Sequence, residues 1–423
     1  MSDTHRTVDA LWRMESPRII ASLTRMVRDV GLAEELAQDA FVAALSQWPR
    51  TGVPRNPAAW LMAIAKRRAI DRFRRDEVLE RKHDVIVEAA ARNGQAHSEE
   101  FDSVDDIRDD MLRLMFVACH PVLSADARVA LTLRLLGGLT TVQIARAFLV
   151  AEPVLAQRIV RAKRTLSEAR IAFEVPDQTE RAARLASVLE VLYLIFNEGY
   201  AATAGDDVMR PALCEDALRL GRVLAQLAPR EAEVHGLVAL MEIQASRSRA
   251  RVGPGGEPIL LLEQDRGKWD HLLVRRGLAA LERAQRLGGG GFYALQAAIA
   301  ACHARAGNAS LTDWTRIAAL YDALAQVAPT PVVFLNRAVA VGMAYGPAVG
   351  LELVDELTST PALKAYHLLP SVRGDLLAKL QRFDEARAEL ERAAALAHNM
   401  RDRILLLERI DRLGGDGKRS RPA

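Results

Sequence analysis

Aromatic residues make up only 5% of the 423-residue chain, and there are three cysteines, Cys119, Cys214 and Cys302. They stand far apart, with no pair at ligand spacing, which argues against a disulfide framework or a Cys-based zinc site and fits a reducing cytoplasm. Long hydrophobic runs are lacking too. The longest, Val188 to Phe196, is too short to span a bilayer, and the polar stretch Met1 to Thr7 leads into no apolar signal core. The expectation is a cytoplasmic protein with no membrane association. Nor is there an excess of either charge: 57 Lys and Arg stand against 54 Asp and Glu, a net +3. Any nucleic-acid role must therefore come from local clustering. What is plentiful is Ala, Leu and Arg, in a chain that is 50% hydrophobic. That composition favours helix throughout and an all-α fold of several domains.

The strongest local cluster is Asn56 to Arg75, NPAAWLMAIAKRRAIDRFRR. Pro57 suits the first position of a helix, and no Gly or Pro interrupts the residues after it. At 3.6 residues per turn Met62, Ala65, Ala69, Ile70 and Phe73 line one side, while Trp60, Ile64, Arg67, Asp71 and Arg74 line the other. One side is expected to pack on a core. The other offers cations to phosphates and an aromatic ring that can stack on an unpaired base. Before it, Val8 to Val30 reads as a helix broken at Gly31, and Ala33 to Trp48 as a second. In that second helix Glu34, Glu35, Gln38 and Asp39 are expected to face out. Pro49 to Pro54 reads as a turn.

Residues 81–110 read as an acidic linker, with Asn93-Gly94 and a run of carboxylates from Glu99 to Asp110. Residues 111–173 read as a compact helical unit. Thr140 can cap a short helix, Thr141 to Phe148, and Pro153 opens a longer one after a tight turn. On the longer helix Leu155, Ile159, Ala162 and Leu166 share one face, and Val154, Gln157, Arg158, Arg161 and Arg164 share the other. That combination reads as a helix-turn-helix, whose second helix enters the major groove, where Arg can pair with guanine and Gln with adenine.

With these motifs in order, the chain resembles the extracytoplasmic-function class of bacterial sigma factors. The matching stretches are Ala33 to Phe41, Asn56 to Arg75 and Gly138 to Leu166. One departure is Arg67, where the family's Ile-Ala-Arg-Asn motif commonly has Asn. The resemblance implies two partners, core RNA polymerase and promoter DNA, and it assigns roles. Residues 1–80 would form sigma domain 2, with Glu35, Gln38 and Asp39 on the polymerase. Asn56, Trp60, Arg67, Arg68, Asp71, Arg72, Arg74 and Arg75 would lie at the −10 element. Trp60 would serve there as a stacking ring or, equally, as a core side chain. Residues 111–173 would form sigma domain 4, with Val154, Gln157, Arg158, Arg161 and Arg164 at the −35 element.

The chain continues far past that unit. Arg181 to Phe196 is strongly apolar, and further helices come after it, broken by Gly/Pro-rich Val252 to Pro258 and by Gly288 to Gly291. Gly374, Leu377, Phe383, Ala386, Leu390 and Ala393 fall at the spacing of a tetratricopeptide repeat, and Asn336 to Ala348 matches more weakly, with Asn336 at the small position. Residues 174–413 are thus expected to form a helical-repeat domain able to bind a regulatory protein, and 414–423 a disordered basic tail. The whole chain resembles sigma factors of this class that carry such an extension.

Cys119-His120 has no second pair at metal-ligand spacing, and the glycines at 288–291 lack the Lys-Ser/Thr of a phosphate loop. The expectation is no metal, no cofactor and no catalysis. Asp265, Lys268, Asp270 and His271 around Trp269 read as a polar loop and a helix start. Two other readings stay open from the residues: a helix-turn-helix activator with a protein-binding repeat domain, and a repeat scaffold without sigma activity.

Overall fold

The computed structural model describes residues 3–84, 104–200, 210–253, 259–397 and 400–419. Every element of regular structure among them is a helix. The chain divides into two compact units, Met1–Glu198 and Gly199–Ala423.

In the first unit α1 (Asp3–Val27), α2 (Val30–Thr51) and α3 (Pro57–Asp84) pack on one another. The break between α1 and α2 falls at Arg28, which takes a positive φ of 53°, and Asp29 caps α2 by accepting from the Leu32 N–H at 2.7 Å. Gly31 therefore lies inside the first turn of α2 and does not end α1. Pro49 is carried within α2, which runs on to Thr51. The core between these helices includes Ile19, Ile20, Leu23, Phe41, Trp48 and Leu61, all buried. Each such side chain contributes on the order of 2 kcal/mol.

Next come α4 (Val104–Ala118), α5 (Ala125–Leu135), α6 (Thr141–Ala147), α7 (Glu152–Glu168) and α8 (Gln178–Tyr200). Helix α4 packs on α1. This changes the expected linker. Residues 81–84 belong to α3 and 104–110 to α4, while 85–103 lie outside the described residues. Asp110 is fully buried, 3.3 Å from the Arg25 guanidinium and 2.8 Å from that of Arg113, so its charge serves the core of the unit. The unit also runs past the expected boundary at residue 173. Arg184 on α8 donates to the Phe116 carbonyl at 3.1 Å and Ser187 to the Cys119 carbonyl at 2.6 Å. Those two carbonyls close the C-terminal end of α4, where helix carbonyls have no partner in their own helix.

The second unit is an array in which each helix packs on the next: α9 (Pro211–Leu227), α10 (Ala232–Ser246), α11 (His271–Arg286), α12 (Phe292–Arg305), α13 (Trp314–Val327), α14 (Pro331–Tyr345), α15 (Pro347–Leu357), α16 (Leu368–Lys379), α17 (Phe383–Leu396) and α18 (Met400–Arg419). Its core passes from hairpin to hairpin: Ile317 and Val341 between α13 and α14, Leu351 and Leu377 further on, then Leu390 and Leu406. This is tetratricopeptide-like stacking, in which no hairpin buries its apolar face alone. The α16–α17 hairpin matches its sequence pattern. A Cβ on Gly374 would lie 2.9 Å from Leu390 Cγ, and Leu377, Ala386, Leu390 and Ala393 are buried. In the preceding hairpin the close approach is at Gly342 and Gly350 instead, because Asn336 is exposed. The expected tail is also partly helical, since α18 continues to Arg419, with 420–423 outside the described residues.

Candidate nucleic-acid interface

Helix α3 begins where the Asn56 side chain accepts from the Ala59 N–H at 3.1 Å. That bond accounts for Asn56 as a cap. Leu61, Ala65 and Ala69 form the fully buried stripe, at steps of four. Ile70 and Phe73, expected in that stripe, lie beyond its edge and are 43% and 41% exposed. They stand beside exposed Arg67, Arg72, Arg74 and Arg75, so this part of α3 presents apolar and cationic groups together. Trp60 is half-buried, its ring 5.3 Å from that of Trp48. The ring therefore packs in part against the first bundle. Asp71 is half-buried, and its backbone carbonyl accepts from Arg75 Nε at 3.2 Å.

The acidic edge of α2 is less uniform than its pattern. Glu35 is exposed. Asp39 pairs with Arg68 of α3 at 3.1 Å, joining the acidic edge to the basic helix. Gln38 donates to Glu34 at 2.7 Å. Glu34 itself, expected to face out, is only 1% exposed. It is held by Arg134 of α5 at 2.6 Å and by Lys163 of α7. Burial pushes the Glu34 carboxyl up, but the charges of Lys163 and Arg134 outweigh it and hold the group below the usual carboxylate range. Close by, Trp12 Nε1 donates to the Gly138 carbonyl at 2.9 Å. Gly138 takes φ +69°, and a Cβ there would come within 3.1 Å of Arg13 Cα. The first three helices and the helix-turn-helix are therefore docked through a buried carboxylate.

Helix α6 opens with a reciprocal cap. Gln143 N–H donates to Thr140 Oγ1 at 3.2 Å, and Thr140 N–H donates to Gln143 Oε1 at 2.9 Å. After a short turn, α7 buries Leu155, Ile159, Ala162 and Leu166, as its periodicity requires. Val154, Gln157, Arg161 and Arg164 are exposed, and Arg158 is half-buried, 3.3 Å from Asp126. Arg161 donates to Gln157 at 3.2 Å and Arg164 to Glu168 at 2.6 Å. These local pairs are weak in water and can be exchanged for a phosphate or a base edge. The residues that the sequence pattern missed are Arg134 and Lys163. Each reads as an ordinary surface cation until its distant partner is placed beside it.

At Cys119-His120 the thiol is buried, 3.3 Å from Thr132 Oγ1, and burial pushes it up to about 11. His120 Nδ1 accepts from the Val122 N–H at 3.1 Å. Asp265 and Asp270 accept backbone N–H groups of the following turn and of α11, so both act as caps. Among the described residues no group of three or more His, Cys, Asp or Glu could hold a metal ion, and no helix is long and apolar enough to cross a membrane.

Among the described residues the chain is all-helical, with a basic helix in its first bundle, a capped helix-turn-helix docked on that bundle and a helical-repeat unit after them, the make-up of a helical protein that carries two cationic helix faces. Known proteins narrow the class. Residues 11–77 match sigma-70 region 2, and residues 184–285 match a family of unknown function (DUF6596). The chain is 33% identical over 150 residues to the ECF RNA polymerase sigma factor SigK of Mycobacterium sp. (strain KMS), covering 33% of this chain and 72% of that one. It is 28% identical to the probable ECF RNA polymerase sigma factor SigI of Mycobacterium tuberculosis, covering 68% of this chain and 99% of that one. Over 95% of its length it is 43% identical to an uncharacterized protein of Rhizobium meliloti (strain 1021), covering 94% of that protein. The crystal structure of yeast Tom70 aligns at 12% identity with a TM-score of 0.32, over 95% of this chain and 86% of that one, a likeness too weak to relate the two. The chain belongs to the extracytoplasmic-function sigma factors, a non-enzymatic family.

Proposed function

We propose that the protein binds core RNA polymerase through the edge of α2 that carries Glu35, Gln38 and Asp39 and directs it to a promoter. Residues Asn56, Trp60, Arg67, Arg68, Asp71, Arg72, Arg74 and Arg75 act at the −10 element, and Val154, Gln157, Arg158, Arg161 and Arg164 at the −35 element. Phosphate contacts by the arginines supply affinity, and a few base contacts supply choice. The observation that carries this reading is the division of α3 and α7 into a buried apolar stripe and an exposed cationic face, with the sigma-70 region 2 match across the first of them. The helical-repeat unit modulates that activity and offers a surface for a regulatory protein.

Runoff transcription with purified core enzyme tests the reading. The protein and core alone are expected to start transcripts at a defined site, whereas an activator would also need a housekeeping sigma factor. The double reversal Glu35→Lys with Asp39→Lys should weaken core binding by roughly tenfold or more, as expected for charges that steer and hold an interface. Unchanged core binding by the double variant would overturn the assignment of this edge.

A further inference from the structure

In the second unit a cavity of about 160 Å³ lies between α10, α12 and α13. A cavity of that size holds a molecule of roughly benzene's bulk. Its lining is partly apolar, with Leu240, Ile299 and Ala300, and partly polar, with Gln244, Arg247 and His303.

Arg247 is the unusual member. Its partners among the described residues are all neutral: the Tyr200 hydroxyl at 2.7 Å, the Gln244 side-chain oxygen, and the faces of Tyr200 and Trp269, each 5.8 Å away. No carboxylate pairs with it among those residues, and the charges around it are like charges, Arg251 and Arg266. Those two arginines are compensated differently. Arg251 donates to the Tyr200 carbonyl and sits 3.6 Å over its ring, and Arg266 donates to the carbonyls of His303 and Ala306 at the end of α12. Both thus meet the negative end of a helix. Arg247 meets none. Elsewhere in this unit a buried charge is paired, as Glu242 is with Arg222 and Arg276. In the same lining His303 Nδ1 is buried with no hydrogen-bond partner among the described residues. Burial and the nearby Arg247 and Arg266 push that imidazole down to about 4, so at neutral pH it adds no charge but keeps a hydrogen bond to give or take.

We propose that this cavity is a binding site for a small organic monocarboxylate, whose carboxylate pairs with Arg247 and whose apolar part lies against Leu240 and Ile299. A guanidinium with open donors suits a planar carboxylate, which it binds bidentately. Arg247 is the one arginine or lysine in the lining among the described residues, and one cation beside apolar side chains suits one negative charge better than a phosphate dianion. The site rests on the second unit alone and does not depend on how the first unit meets polymerase or DNA.

Calorimetric titration of the full-length protein with sodium benzoate, hexanoate and pyruvate tests the proposal, with benzamide and inorganic phosphate as further arms. Saturable binding by at least one carboxylate is expected, with none by benzamide. Arg247→Gln should weaken that binding by about tenfold or more, the loss of a charge-assisted pair. The exposed control Arg249→Gln should leave it unchanged. Ala300→Leu fills the cavity and keeps its charge, so it should also abolish binding if the carboxylate sits inside, and circular dichroism reports that both variants are folded. The proposal is overturned if no carboxylate saturates at about 10 mM, if benzamide or phosphate binds as well as benzoate, or if folded Arg247→Gln and Ala300→Leu proteins bind as the parent does.

Discussion

Glu34 shows how one side chain can reverse its apparent role. Beside Glu35, Gln38 and Asp39 it reads as part of a solvated edge. In the folded unit it is buried, and its carboxylate joins two cations from another part of the chain. Replacing it by Gln keeps the shape and removes the charge, leaving Arg134 and Lys163 facing each other without a counter-ion. The expected cost is about 2–4 kcal/mol, toward the lower end for a broken buried pair because both cations keep some access to water. The carboxyl is held below its ordinary value in the folded state. Its contribution is therefore complete above the unfolded value of about 4.3 and is lost as the pH falls through the lower, folded value. Urea unfolding of wild type and Glu34→Gln between neutral pH and pH ~3 should give curves that converge toward acid. A constant gap across that range would show that the charge of Glu34 is not what holds the unit.

Among the elements, the α14–α15 hairpin depends on a contact that no side chain makes. A Cβ on Gly350 would lie 2.7 Å from Gly342 Cα and 3.0 Å from the Ala338 carbonyl. Backbone cannot yield as a flexible side chain can, so Gly350→Ala should force the helices apart and cost about 1–3 kcal/mol, despite the higher helix propensity of Ala. A thermal melt of the full chain reads this directly, and an unchanged or raised midpoint would contradict the close crossing. The same contrast explains which features were legible in the sequence. Periodicity and caps are local, so the Thr140 cap, the buried stripe of α7 and the Gly374 hairpin could be read from neighbouring residues. Ile70 and Phe73 were misplaced because a helical period fixes a face but not where the neighbouring helices stop covering it. Glu34 and Arg134 are separated by 100 positions, and no local pattern marks one as the partner of the other. Arg247 was missed for a related reason, since the absence of a counter-ion becomes visible only when everything around the guanidinium is in place.

For the whole molecule, the position of the boundary between the units decides how the extension can be tested. The sequence places it after the helix-turn-helix, near residue 173, whereas the first compact unit runs to Glu198 and includes most of α8. That helix supplies the Arg184 and Ser187 side chains that satisfy the last carbonyls of α4, and its Glu190 pairs with Arg128 of α5 at 2.9 Å. Cutting after Phe173 removes all three contacts along with the repeats. Cutting after Glu198 removes the repeats and keeps the contacts. Fragment 1–198 should therefore melt cooperatively, with fragment 1–173 melting roughly 5–10 °C lower, as the loss of a few kcal/mol implies for a unit of this size. Equal midpoints for the two fragments would show that α8 contributes nothing to the first unit. The consequence for transcription is direct. A defect in the shorter fragment alone would report a damaged helix-turn-helix unit, and only a change shared by fragment 1–198 can be attributed to loss of the helical-repeat extension.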